Sequence, residues 1–284
     1  WAGYALSARG LVLAALAGLL LLAGGSLLLA GGGTILFPVA PCFALLAAFL
    51  TATTVNRIRE RQQKQYLHHA FGQYLSPKVV ETLLKNPDKL KLGGERKEMT
   101  ALFSDLQGFS SISEGLTPEA LVTLLNDYLS RMCTIISEEG GIIDKFEGDA
   151  IIAFWGAPLE QYDHSIGACR AALRMDREMV RLREEFRATG RPELYMRIGI
   201  NSGPMVVGNM GSSERMDYTI MGDAVNLASR LEGANKLYGT WILISEHTWA
   251  LLAGRMTTRE VDRIRVMGKQ EPVTVYELLG ERGG

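Results

Sequence analysis

Hydrophobic and polar positions divide the chain into three stretches of different periodicity. No charged residue occurs between Arg9 and Arg57, and this run holds two apolar segments, 11–30 and 35–55, separated by Gly31-Gly32-Gly33. A hydrocarbon core about 30 Å thick takes roughly 20 helical residues to cross. The pattern therefore predicts a two-helix transmembrane hairpin turned at the glycines. Pro38 and Pro41 fall near the start of the second helix, where the first turn has no intrahelical donors to lose. From 56 to 94 polar positions dominate around Ile58, Tyr66, Leu67, His69, Phe71 and Tyr74, which predicts a cytoplasmic helical linker. A parallel coiled coil in a dimer would make it stiff, although fewer than three clean heptads are present. His68 and His69 read as linker positions rather than metal ligands. Ser76-Pro77 starts a short helix to Leu84, and Asn86-Pro87-Asp88 ends it.

Over 95–284 short β-type runs alternate with amphipathic helical segments, which indicates an α/β or α+β domain. A strand over 99–104 runs into Asp105-Leu106-Gln107-Gly108-Phe109-Ser110, placing a carboxylate at a strand end before a loop whose N–H groups can approach phosphates. A helix starts at Thr117-Pro118-Glu119, and its stripe of Leu121, Leu124, Leu125, Leu129, Met132 and Ile136 predicts core. Residues 141–154 form a β-hairpin pattern with a turn at Glu147-Gly148, bringing Lys145 near Asp149 at the tip. A plain surface Lys–Asp pair explains that hairpin as well as a metal-binding carboxylate does. Further on, Tyr195 to Asn201 reads as a strand, Ser202-Gly203-Pro204 as a turn and Met205 to Asn209 as a returning strand. Arg197 within it is a candidate polyphosphate contact or an ion-paired residue. Asp217 to Met221 leads to Asp223 as the N-cap of a helix that carries Asn226 and Arg230 four apart on one face. An arginine projecting with an amide suits an anionic transition state.

The formal net charge of −1 excludes a general nucleic-acid binder. Arg57, Arg59, Arg61 and Lys64 follow the second span against a single Glu60, and Lys/Arg excess marks the cytoplasmic side. The C-terminal domain is therefore expected at the inner face of the plasma membrane, facing the cytoplasm. A cleavable signal peptide fits poorly, since no small-residue cleavage site is evident and a second span follows. The sequence starts at Trp1, beside the first span, so residues 1–10 are expected to be the juxtamembrane end of a longer protein. Its missing N-terminal part would carry a sensor and another span. Cys42, Cys133 and Cys169 are odd in number and lack metal-ligand spacing, which indicates neither disulfides nor zinc.

Three segments resemble the class III adenylyl and guanylyl cyclases in the family's order: Phe103-Ser104-Asp105-Leu106-Gln107-Gly108-Phe109-Ser110, Lys145-Phe146-Glu147-Gly148-Asp149, and Met221-Gly222-Asp223-Ala224-Val225-Asn226-Leu227-Ala228-Ser229-Arg230. The likeness spans about Glu95 to Leu279, and the hairpin with 71–94 also looks like bacterial cyclases carrying a CHASE2 sensor. It implies an α+β, ferredoxin-like catalytic domain behind the two-helix hairpin. It also implies a homodimeric adenylate cyclase making cyclic AMP from ATP with two divalent ions, Mg²⁺ or Mn²⁺. In family terms Asp105 and Asp149, with the Leu106 backbone, hold the metals, and Gly108, Phe109 and Ser110 of the loop and Arg197 stay the candidate phosphate contacts read above. Asn226 would orient the ribose and Arg230 stabilise charge at the α-phosphate, both reaching into the partner's site. Lys145 and Thr219 would read the base. A Lys there favours adenine, because an ammonium can donate to adenine N1 but offers nothing to the N1–H of guanine. Thr219 departs from the usual Asp, as in a subgroup with bicarbonate-responsive members. The alternatives are a guanylate cyclase and a catalytically inactive module that only dimerises.

Overall fold

A computed structural model describes residues 50, 53–55, 57, 93–212, 216–265 and 272–283. The chain divides into two compact units, Trp1–Val80 and Glu81–Gly284. In the first, Leu50, Val55 and Arg57 are helical, and the hydroxyls of Thr53 and Thr54 donate to the Leu50 carbonyl. The rest of both spans, the linker before Gly93 and the short helix from Pro77 lie outside the described residues. Among the described residues no helix is long and apolar enough to cross a membrane.

In the second unit, strand β1 (Gly93–Leu106) is followed by helices α1 (Phe109–Glu114) and α2 (Pro118–Glu138), then strands β2 (Ile142–Glu147) and β3 (Ala150–Trp155). Helix α3 (His164–Ala188), strands β4 (Met196–Gly211) and β5 (Met216–Met221) and helix α4 (Asp223–Tyr238) come next. Strand β6 (Ile242–Ser245), helix α5 (Glu246–Leu251) and strands β7 (Met256–Ile264) and β8 (Val273–Glu281) complete it. The sheet runs β2-β3-β1-β4-β6-β8-β7, with β5 also on β4. Its first four strands, with α2 and α3, make the antiparallel split β-α-β arrangement of ferredoxin-like folds. The β4–β6 pair is parallel, so the sheet is mixed and the class is α+β.

Alternation along the strands sorts residues between two cores. Ile198 and Ile200 of β4 and Leu102 and Leu106 of β1 face α2 and α3, where Leu124, Tyr128, Met132 and Ile136 supply the helical side. From Leu124 to Ile136 the expected stripe thus packs in or against the core, with Tyr128 added to it, while Leu121 stays outside the cluster. Thr117 caps α2 by accepting from the Ala120 N–H at 3.3 Å, with Pro118 at the first position. On the opposite face α4 lies over β4. Asn201 Nδ2 donates to the Ala224 carbonyl at 2.7 Å and Asn235 Nδ2 to the Ile198 carbonyl at 2.9 Å, so both ends of the helix are fastened to that strand.

Three local expectations are corrected. β1 begins at Gly93 and includes Asp105 and Leu106, because its ladder with β4 continues that far. Ser202-Gly203-Pro204 is no turn: β4 is one sixteen-residue strand. Its side away from β1 pairs with β6 at 198–200 and with β5 only from Val206, so the missing N–H of Pro204 falls in the gap. Asp223 is the first helical residue of α4 rather than its cap, which is Gly222 with φ 136°.

Gly199 and Gly233 provide opposite tests of the α4 seat. A Cβ on Gly199 would lie 2.2 Å from the Glu232 nitrogen and 2.3 Å from the Ala228 carbonyl oxygen, whereas one on Gly233 meets nothing within 4 Å. Gly199→Ala should destabilise the domain by about 1–3 kcal/mol through overpacking. Gly233→Ala, on an exposed helical position, should stabilise by about 0.5–1 kcal/mol. Denaturant unfolding of both variants checks this, and equal effects would show that α4 does not rest on Gly199.

Candidate active site

The β1–β4 ladder sets Asp105 directly opposite Arg197. Opposed residues of an antiparallel pair share a face, and Arg197 Nη2 stands 3.5 Å from Asp105 Oδ2. The hairpin joins β2 to β3 through a two-residue turn, Gly148-Asp149, with Gly148 left-handed at φ 67°. That turn delivers Asp149 to the end of β1, where its Oδ2 accepts the Leu106 N–H at 3.0 Å. The expected proximity of Asp149 to Lys145 is corrected: Asp149 is drawn to β1, and the ion partner of Lys145 is Asp144, at 3.6 Å. The chain thus brings together Asp105, Asp149 and the Leu106 backbone.

A third carboxylate joins them. Glu232, on α4, approaches Arg197 Nε at 3.2 Å, and both side chains are largely buried. Burial first, then the charge of Asp149, pushes Asp105 up to about 6, against the opposing pull of Arg197. Burial and then Asp105 raise Glu232 to about 6 as well. Three acids around one guanidinium leave negative charge uncompensated, which fits divalent cations. Among the described residues no three acidic, histidine or cysteine side chains converge on one metal position. Two carboxylates with a backbone carbonyl suit an ion such as Mg²⁺, which keeps waters and takes substrate phosphates as further ligands.

Beyond β1, Gly108 is left-handed at φ 69° and caps α1, so the Phe109 and Ser110 N–H groups open the helix without i−4 carbonyl partners. Phe109 packs on the core and Ser110 is exposed. Arg197 is engaged by Asp105 and Glu232 rather than free for a polyphosphate.

Lys145 and Thr219 come together from β2 and β5, although 74 positions separate them in the chain. Thr219 Oγ1 donates to Asp144 Oδ2 at 2.9 Å, the oxygen that faces Lys145 Nζ. Sequence reasoning missed Asp144 and Glu232. Asp144 precedes the motif lysine, and Glu232 is two residues past the motif arginine; both would have needed the fold to be noticed.

Asn226 and Arg230 do not join the carboxylates of their own chain. A helix turns about 100° per residue, so Arg230 projects roughly 160° and Asn226 roughly 120° away from Glu232, which faces Arg197 and Asp105. Asn226 is exposed, and Arg230 Nη1 is buried with no hydrogen-bond acceptor among the described residues.

Residues 94–280 match the family of adenylate and guanylate cyclase catalytic domains. Over 185 residues the chain is 39% identical to adenylate cyclase 1 of Rhizobium meliloti, covering 65% of this chain and 28% of that protein. It is 38% identical over 241 residues to an adenylate cyclase of Anabaena cylindrica, covering 80% of this chain and 47% of the relative. The chain therefore spans less than half the length of these curated relatives. Among solved structures it resembles the adenylyl cyclase CyaB from P. aeruginosa, with 41% identity and a TM-score of 0.63 over 68% of this chain and 98% of that one. The guanylyl cyclase Cya2 follows at 36% identity and a TM-score of 0.62, over 68% of this chain and 96% of that one. With two thirds of its length matched to that catalytic domain and the acidic site assembled at the end of β1, the chain belongs to the class III adenylyl and guanylyl cyclase family.

Proposed function

We propose that the chain is an adenylate cyclase that converts ATP to 3′,5′-cyclic AMP and diphosphate at two composite sites of a homodimer. The observation that carries this is the convergence of Asp105 and Asp149 at the end of β1, tied by the Leu106 N–H. Divalent ions held there would neutralise the triphosphate and promote ionisation of the ribose 3′-hydroxyl. In the reaction the 3′-oxygen attacks the α-phosphorus, its proton is lost, and the bond to the β-phosphate oxygen breaks. Arg230 stabilises the charge that develops at the α-phosphate, a role suited to a guanidinium with a nitrogen that has no acceptor among the described residues. Asn226 positions the ribose. Because both project away from their own carboxylates, each site takes them from the partner subunit, and symmetry then gives two equal sites.

Adenine is favoured by Lys145, whose ammonium donates to the N1 acceptor, and by Thr219 at the exocyclic amine. Guanylyl cyclases among the structural relatives make guanine the second reading. The apolar segments 11–30 and 35–55 with the basic cluster after them support a tether at the inner face of the plasma membrane.

Two experiments test this reading. The full chain, fractionated and assayed with ATP and GTP in parallel, should make cyclic AMP in the membrane fraction, and Asp105→Ala should abolish it. Cyclic GMP as the main product, undiminished turnover by Asp105→Ala, or activity confined to the soluble fraction would each refute its own part. Separately, ligation needs ionised carboxylates, and Asp105 holds its proton up to about pH 6. Mn²⁺ affinity measured by calorimetry should be level above pH 7 and fall by up to about tenfold per pH unit below 6. An affinity unchanged from pH 7 to 5 would remove Asp105 from the metal site.

A further inference from the structure

The β2–β3 register contains an irregularity that decides what the base pocket can read. Ile143 pairs with Ala153 and Lys145 with Ile152, so Asp144 is an extra residue, bulged out of the ladder. Regular alternation would send Asp144 and Lys145 to opposite faces. A bulge re-aims side chains, and here both reach one spot, with Lys145 Nζ 3.6 Å from Asp144 Oδ2. The same oxygen accepts the Thr219 hydroxyl at 2.9 Å. The Asp144 side chain is 4% exposed and Thr219 6%, so the hydrogen bond between them is shielded from bulk water. The other carboxylate oxygen, Oδ1, is buried without a hydrogen-bond partner among the described residues.

A hydroxyl carries one hydrogen and two lone pairs. With its hydrogen committed to Asp144, Thr219 Oγ1 has only lone pairs to offer a ligand. Adenine presents an amine N–H donor at its six-position, where guanine presents the O6 acceptor. We infer that Asp144 is a specificity-determining residue: it fixes the Thr219 hydroxyl as an acceptor, so that the pocket admits a purine with a six-amino group and rejects a six-oxo purine. The inference rests on the reading of Lys145 and Thr219 as the base contacts. Asp144 acts as a positioning residue, through Thr219. A buried acceptor facing another acceptor leaves both unsatisfied, which discriminates far more strongly than a mere loss of packing.

The test compares kcat/KM for ATP and GTP in the full chain, in Asp144→Asn, in Thr219→Val and in the double variant. An asparagine keeps the shape but can turn its amide toward Thr219, freeing the hydroxyl hydrogen for O6. Asp144→Asn should narrow the ATP-over-GTP ratio by about tenfold or more. The double variant should narrow it no further than Thr219→Val alone, and Thr219→Ser should retain the wild-type ratio. A structural role would lower both nucleotides alike, so an unchanged ratio in Asp144→Asn overturns the inference while leaving the base reading intact. No ATP preference in the wild-type chain overturns both. Should Asp144→Asn fail to fold, inosine triphosphate on the wild-type chain decides: this six-oxo purine should be discriminated against as GTP is, and turnover equal to ATP overturns the proposal.

Discussion

The antiparallel pairing of β1 with β4 is the constraint on which the site depends. Its register runs unbroken from Gly93 opposite Asn209 to Leu106 opposite Met196. At one end it sets Asp105 against Arg197, and through Gly199 it seats α4, the helix that bears Asn226, Arg230 and Glu232. At the other end the far side of β4 carries β5, and Gly208 opposite Thr219 fixes where the Thr219 hydroxyl stands. Asp105, Arg197, the seat of α4 and the strand that carries Thr219 are thus indexed to one ladder. A slip of one residue would take Asp105 away from Arg197 and turn the slipped strand's side chains to the wrong face.

Electrostatics explain why such an arrangement does not sit at rest within one chain. Burial first, then the charge of Asp149 on Asp105 and of Asp105 on Glu232, hold both acids well above the ordinary carboxylate range, with Arg197 the cation between them. The site is built for positive charge and has too little of its own. Arg230 faces away, with one buried nitrogen lacking an acceptor among the described residues. In the proposed homodimer this separation of complementary charges would be resolved by symmetry, a second copy presenting its α4 to the first copy's carboxylates.

Much of this was legible in the sequence. Asp105 at a strand end, Asp149 at a hairpin tip, the capped start at Thr117 and the core stripe of α2 depend on local patterns, and local patterns are what a sequence displays; the turn itself falls at Gly148-Asp149, one residue beyond the expected Glu147-Gly148. The turn expected at Ser202-Gly203-Pro204 failed because a tertiary partner overrides the local signal: β1 holds the segment extended, and no strand on the other side needs the N–H that Pro204 lacks. Asp144 and Glu232 escaped for a related reason. The first owes its position to a bulge, the second to a helix crossing two strands, and neither leaves a mark on residue spacing. The apolar segments of the N-terminal unit remain an expectation of the sequence, since most of that unit lies outside the described residues.

The central claim is that one working site takes carboxylates from one subunit and Asn226 with Arg230 from the other. Mixing Asp149→Ala chains with Arg230→Ala chains tests it most directly, because each heterodimer would then contain one intact composite site and one doubly damaged site. Each variant alone should be inactive, and purified heterodimers should recover about half the wild-type activity per dimer. Heterodimers that form but remain inactive, or substantial activity in either variant alone, would contradict the shared site.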